Sequence, residues 1–156
     1  MNAPLRLRTL RDEDDAFLRH LYACIRKPEL DLLNWDAGRE AAFLQTQFDS
    51  QQQYYHTFYP GAQFDLVMLG DEPIGCFYVL QDGGDFRVID LAILPEHRGN
   101  GYATAVLTAL MHEAHRAGCS VSIHLEPYNP AVSLYQRLGF REVRMVGLHR
   151  LMQWQP

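Results

Sequence analysis

The sequence predicts an α/β fold, in which a mixed sheet with antiparallel N-terminal strands joins a parallel β-α-β crossover and helices cover both faces. Three observations carry this. Three strand-like segments, 64–69, 74–80 and 86–94, follow one another across turn signals at Gly70-Asp71-Glu72-Pro73 and Asp82-Gly83-Gly84-Asp85, the pattern of an antiparallel meander. The third segment runs through a glycine-rich turn into an amphipathic helix and then a further apolar run, the order of a right-handed parallel unit. Ahead of the meander, two segments repeat apolar residues at helical spacing.

Each element has a local reason. Residues 5–10 alternate apolar and basic side chains (Leu5, Arg6, Leu7, Arg8), which reads as a half-exposed strand with Arg6, Arg8 and Arg11 on a solvated face. Thr9 or Asp12 is placed to cap a helix running to about Ile25, with Phe17, Leu18, Leu21, Tyr22 and Ile25 facing inward and Pro28 ending it. A second helix covers 36–55, with Ala41, Phe43, Leu44 and Phe48 on its inner side, and Pro60-Gly61 marks a turn. Beyond the meander, residues 103–117 form a helix with Ala103, Leu107, Leu110 and Ala114 along one stripe and Gly118 as its C-terminal cap. Residues 121–125 form the crossover strand. Asn129 and Pro130 suit the cap and first position of a short helix that Gly139 closes. Residues 140–143 and 148–154 are the last strands, and the apolar strand ending at Trp154 offers a homodimer contact.

A chain of 156 residues, 47% of them hydrophobic, is expected to form one domain with a proper core. The net charge of -5 argues against a general nucleic-acid binder. Cys24, Cys76 and Cys119 are odd in number and follow no metal-ligand spacing, which suits a reduced, cytoplasmic setting. No apolar run is long enough to span a bilayer, and the N-terminus has no signal core. His112 and His115 share a helix face but fall one residue short of the zincin spacing, so no metal is expected.

The functional signal lies in residues 91–103. Gly99 and Gly101 permit a tight turn and a close ligand approach, and the first amides of the following helix have no intrahelical partners. Added to the helix dipole, these make a pyrophosphate site. A P-loop needs a Lys-Ser or Lys-Thr pair after its last glycine, where this chain has Tyr102-Ala103. A dinucleotide fold needs three glycines in its first strand-helix unit, whereas this turn lies past mid-chain.

The run Arg98-Gly99-Asn100-Gly101-Tyr102-Ala103 resembles the Arg/Gln-x-x-Gly-x-Gly/Ala signature of the GNAT superfamily of acyl-CoA-dependent N-acyltransferases. Downstream, residues 129–140, with Asn129, Leu134, Tyr135, Gly139 and Phe140, resemble that family's Asn…Leu-Tyr-x-x-x-Gly-Phe motif. The resemblance implies a GNAT-like mixed sheet and an enzyme that transfers an acetyl group from acetyl-CoA to a small-molecule or peptide amine. Nucleic acid and membrane are not among the partners it implies.

It further implies that backbone amides of Arg98, Gly99, Asn100, Gly101, Tyr102 and Ala103 hold the coenzyme A pyrophosphate, with the Thr104 hydroxyl beside them. The pantetheine arm is expected along the main chain of Ala92, Ile93 and Leu94, at a strand bulge, with an amide near Ile93 polarising the acetyl carbonyl. Tyr135 is implied as the acid that protonates the leaving thiolate, and Asn129 as a pantetheine or turn contact. Tyr135 also fits an apolar helical stripe, as a core residue would. Histone-type members carry a glutamate base six residues before the position of Ile93, where this chain has Arg87. Asp90, His124, Glu126 or ordered water could take the proton instead. The missing glutamate keeps open a non-catalytic acyl-CoA sensor on the same fold. The aromatic group Tyr54, Tyr55, Phe58 and Tyr59 falls where the family borders its acceptor site.

Overall fold

The computed structural model describes residues 3–156. In chain order the elements are β1 (Leu5–Thr9), α1 (Asp15–Leu30), α2 (Ala37–Phe58), β2 (Gln63–Leu69), β3 (Glu72–Asp82), β4 (Asp85–Ile93), α3 (Tyr102–Ala117), β5 (Ser120–Leu125), α4 (Val132–Arg137), β6 (Arg141–Val146) and β7 (His149–Trp154). The seven strands form one sheet in the order β1-β2-β3-β4-β5-β7-β6. The pairs from β1 to β4 are antiparallel, β4 and β5 are parallel, and β7 pairs antiparallel with both β5 and β6. This is the mixed sheet the sequence predicts.

Strand alternation splits the core between the two faces. Cys76 and Tyr78 of β3 pack with Leu18 and Leu21 of α1 and with Phe48 and Tyr55 of α2. Phe77 of β3 packs on the opposite face with Val106, Leu107, Leu110 and Ala114 of α3, Val121 and Ile123 of β5, and Tyr135 of α4. Burying each large apolar side chain contributes about 1.5–3 kcal/mol, so both helical layers are held mainly by this packing.

The helix ends follow local chemistry, with some departures from what the sequence predicts. Asp36 caps α2 by accepting from the Arg39 amide at 2.8 Å, and Gly118 ends α3 with φ 69°. Neither Thr9 nor Asp12 caps α1. Asp14 accepts from the Arg11 amide at 2.7 Å and takes two bonds from the Arg8 guanidinium, at 2.8 and 3.1 Å. Arg8 is therefore drawn out of the solvated face into a largely buried ion pair, while Leu7 of the same edge strand is 43% exposed. Pro28 does not end α1, which continues to Leu30. The ring removes only one amide donor close to the C-terminus, and Asp31 still donates to the Lys27 carbonyl at 2.9 Å. On α2, Ala41 is exposed, whereas Phe48 and Tyr55 are buried.

Candidate active site

The glycine-rich turn is open. Gly99 and Gly101 have φ of 79° and 81°, the left-handed region that favours glycine, and nothing lies within 4 Å of where a Cβ would stand at either. The first intrahelical bond of α3 runs from the Ala105 amide to the Gly101 carbonyl at 2.9 Å. The amides of Tyr102, Ala103 and Thr104 therefore have no intrahelical acceptor, and they crown a 16-residue helix whose dipole places positive potential there. The Asn100 carboxamide braces the turn by donating to the His97 carbonyl at 3.1 Å, and the Arg98 amide donates to the Pro95 carbonyl at 3.2 Å. His97 lies 3.8 Å from Glu72.

Beside this turn β4 parts from β5. Their parallel ladder runs from Asp85 opposite Ser120 to Val88 opposite Ile123 and ends there. A polar clasp holds the start of the pair. Asp85 accepts from the Ser120 and Ser122 hydroxyls at 2.7 and 2.5 Å, and the Arg87 guanidinium donates to the Ser122 oxygen at 2.7 Å. Beyond Val88 the ladder to β3 slips by one residue, so that Tyr78 faces Asp90, Val79 faces Val88, and Ile89 is the extra residue. The bulge is thus at Ile89 rather than at Ala92 to Leu94 as expected. The added twist of a bulge turns the rest of β4 away from β5.

The same geometry sorts Ala92, Ile93 and Leu94. The Leu94 amide donates to the Ile74 carbonyl at 2.8 Å, and its carbonyl accepts from the His97 amide at 3.0 Å. The Leu94 amide therefore has no proton left for a ligand, which corrects the expectation that all three residues offer theirs. Backbone groups alternate along a strand, so Ala92 also turns toward β3 while Ile93 turns toward the gap. The Ile93 carbonyl accepts from Arg98 Nε at 3.0 Å.

Tyr135 of α4 is 3% exposed, stacks edge-on against Phe140 at 5.2 Å between ring centres, and its hydroxyl has no hydrogen-bond partner among the described residues. Burial first, and the Asp90 charge second, hold its phenol above the ordinary range. The Asn129 carboxamide oxygen accepts from the Ala131 amide at 2.8 Å, so this residue shapes the turn before α4, whose regular helix starts only at Val132.

On the other face of the sheet a cleft opens between α1, α2 and the strands β3 and β4. Asp90 and Ala92 line it, with Cys76 and Tyr78 from β3, Leu18 and Tyr22 from α1, and Phe48, Gln51 and Gln52 from α2. Asp90 accepts from the Tyr55 hydroxyl at 3.4 Å and from the Cys76 thiol at 3.9 Å. Burial pushes its carboxyl up to about 6, against the pull of these donors and the Leu91 amide.

The other base candidates are different. His124 faces Arg87, and burial together with that charge lowers its pKa. Glu126 is exposed. Of the aromatic group, only Tyr55 reaches Asp90, while Tyr54 and Phe58 are exposed and pack on each other. Gln51 and Gln52 of α2 line the cleft without any chemical motif to mark them. Their spacing from Phe48 and Tyr55, three or four residues either way, is the helical signal that would have found them.

Comparison with known proteins agrees with this architecture. A PaiA N-acetyltransferase from Thermoplasma acidophilum, solved with coenzyme A, superposes with a TM-score of 0.74 at 12% identity, covering 98% of this chain and 99% of that one. Naa50 of Arabidopsis thaliana, solved with the bisubstrate analogue CoA-Ac-MVNAL, gives 0.64 at 13% identity, covering 97% and 99%. These likenesses show the fold. In sequence, an N-alpha-acetyltransferase of Sulfurisphaera tokodaii is 34% identical over 63 residues, which span only 38% of this chain and 38% of that relative. The model of the acetyltransferase (GNAT) family matches residues 18–140, which takes in the α1–α2 cleft, the parted strands, the glycine-rich turn and α4, and the chain belongs to that family.

Proposed function

We propose that this chain is an N-acetyltransferase that moves an acetyl group from acetyl-CoA to a primary amine. The observation that supports it most is the junction of the parted β4–β5 pair with the uncapped N-terminus of α3. A pyrophosphate fits there against the amides of Gly99 to Thr104, since the space beside Gly99 and Gly101 is open, the Tyr102 to Thr104 amides have no intrahelical acceptor, and the helix dipole is positive there. An extended arm fits along the Ile93 side of β4, where the ladder to β5 has ended. Family membership and the coenzyme-bound relative favour coenzyme A over other pyrophosphates.

Acetyl-CoA supplies an activated thioester. The acceptor nitrogen attacks the carbonyl carbon, a C–N bond forms, and the C–S bond breaks. The Ile93 amide stabilises negative charge on the carbonyl oxygen. Tyr135 offers its O–H to the departing sulfur, and Asp90 takes the proton shed by the nitrogen. In this role Asp90 replaces the glutamate whose position Arg87 occupies.

The test is release of free thiol from acetyl-CoA with a panel of amines, together with mass detection of the acetylated product. Amine-dependent release is expected. Coenzyme binding without transfer to any amine would instead make the chain a sensor.

A further inference from the structure

We infer that the acceptor carries a single positive charge, on the reacting nitrogen, attached to an apolar group with no carboxylate nearby. This rests on the acetyltransfer reading above and on the chemistry of the cleft walls. Asp90 is the one carboxylate among the residues lining the cleft, and no Lys, Arg or His lines it. Leu18, Leu21, Tyr22 and Phe48 present apolar and aromatic surface, which favours an apolar shoulder beside an ammonium.

The nearest guanidiniums are already engaged. Arg19 lies 4.6 Å from the centre of the Phe48 ring and bonds Asp15 and Asp49 at 2.7 and 2.6 Å. Arg26 lies 5.5 Å from the Tyr22 ring centre and bonds Glu29 at 2.6 Å. A free amino acid would bring its carboxylate into a site with no cation to meet it and with Asp90 as a like charge. A polyamine would bring a second or third cation against apolar walls, with one carboxylate to share. An amide or a hydroxyl meets neither penalty, and Gln51 and Gln52 offer uncharged donors and acceptors for it.

Two sources share this chemistry, a small aryl- or alkylamine and a peptide N-terminus that begins with an apolar residue. Thiol release is measured with phenethylamine, phenylalanine amide, a tetrapeptide beginning with phenylalanine, free phenylalanine and spermidine. The first three are expected to exceed the last two in kcat/KM by about ten-fold or more, the effect of one poorly met charge. The ratio of phenethylamine to tetrapeptide tells the two sources apart. In Asp90→Asn the preference for phenylalanine amide over free phenylalanine should shrink, because the like charge is gone. Free phenylalanine or spermidine turning over as well as the amide would overturn the substrate class and leave acetyl transfer standing. No release with any of the five, alongside no binding of acetyl-CoA, would overturn both.

Discussion

At the scale of single residues, the Asp90 charge is felt at Tyr135. The Asp90 charge is one of the two causes that raise the Tyr135 phenol, burial being the larger. In the proposed reaction, protonation of Asp90 by the acceptor would remove that charge and make the phenol a better donor as the sulfur leaves. Tyr135→Phe should lower turnover by about 10²-fold while leaving acetyl-CoA affinity nearly unchanged, as read by steady-state kinetics and calorimetry. An equal rate would return Tyr135 to the core role that its apolar neighbours allow. If Asp90 is the base, as proposed, it acts as a carboxylate, so kcat/KM should rise with pH through about 6, and Asp90→Asn should remove that limb of the profile. Stability moves the opposite way. A carboxyl raised in the folded state binds a proton there more readily than in the unfolded chain, so stability falls as pH climbs from about 4 to about 6. Asp90→Asn should therefore raise Tm at pH 8 and leave it nearly unchanged at pH 4. The carboxylate itself was visible in the sequence. Its raised pKa was not, because burial raises it, and the cleft that buries it is built from α1, α2 and β3, distant in the chain, with Tyr55 and Cys76, 35 and 14 positions away, pulling it down.

At the scale of elements, two devices build the site: a strand pair closed at one end, and a helix left uncapped at the other. The clasp of Asp85, Ser120 and Ser122 fixes the start of the parallel ladder, and the extra residue Ile89 ends it. On β3, Gly75 lets the Ala92 carbonyl approach where any Cβ would collide with it, so the bulged strand still packs. The α3 turn permits a sharper test. Gly101→Val places a β-branched residue in the left-handed region, at a cost of about 1–2 kcal/mol in strain. The side chain meets nothing in the protein, so acetyl-CoA affinity should fall by more than that strain explains, about ten-fold or more, because the Cβ enters the phosphate's space. Comparing Tm with the dissociation constant for Gly101→Val separates the two effects. Equal losses would move the phosphate elsewhere. The turn was legible in the sequence because two glycines and a helix start are written within a few residues. The bulge at Ile89 was not, since Val88-Ile89-Asp90 reads as an ordinary strand and only its registry with β3 shows the slip.

At the scale of the whole molecule, the two core layers lie on opposite faces of one sheet, and the proposed coenzyme site falls where the β4–β5 ladder has ended. A ligand spanning that gap would tie β4, α3 and α4 together and should stabilise the folded chain by mass action. Acetyl-CoA at about 100 times its dissociation constant should add about 2.7 kcal/mol, a rise in Tm of about 5–10 °C by thermal shift. No rise at millimolar acetyl-CoA would count against the coenzyme site. Residues 3–156 contain no helix long and apolar enough to cross a membrane. By itself the sequence determined the order and type of the strands and helices, the cap at Gly118, the glycine turn and the two motifs that resemble the family. All of these are encoded over a few neighbouring residues, in backbone preference and side-chain period. Only the tertiary structure decided that Arg8 is paired with Asp14, that the Leu94 amide is closed to a ligand, and that Asp90 sits half-buried in a cleft with one charge. Desolvation and charge pairing depend on groups brought together from distant parts of the chain, which no local pattern records.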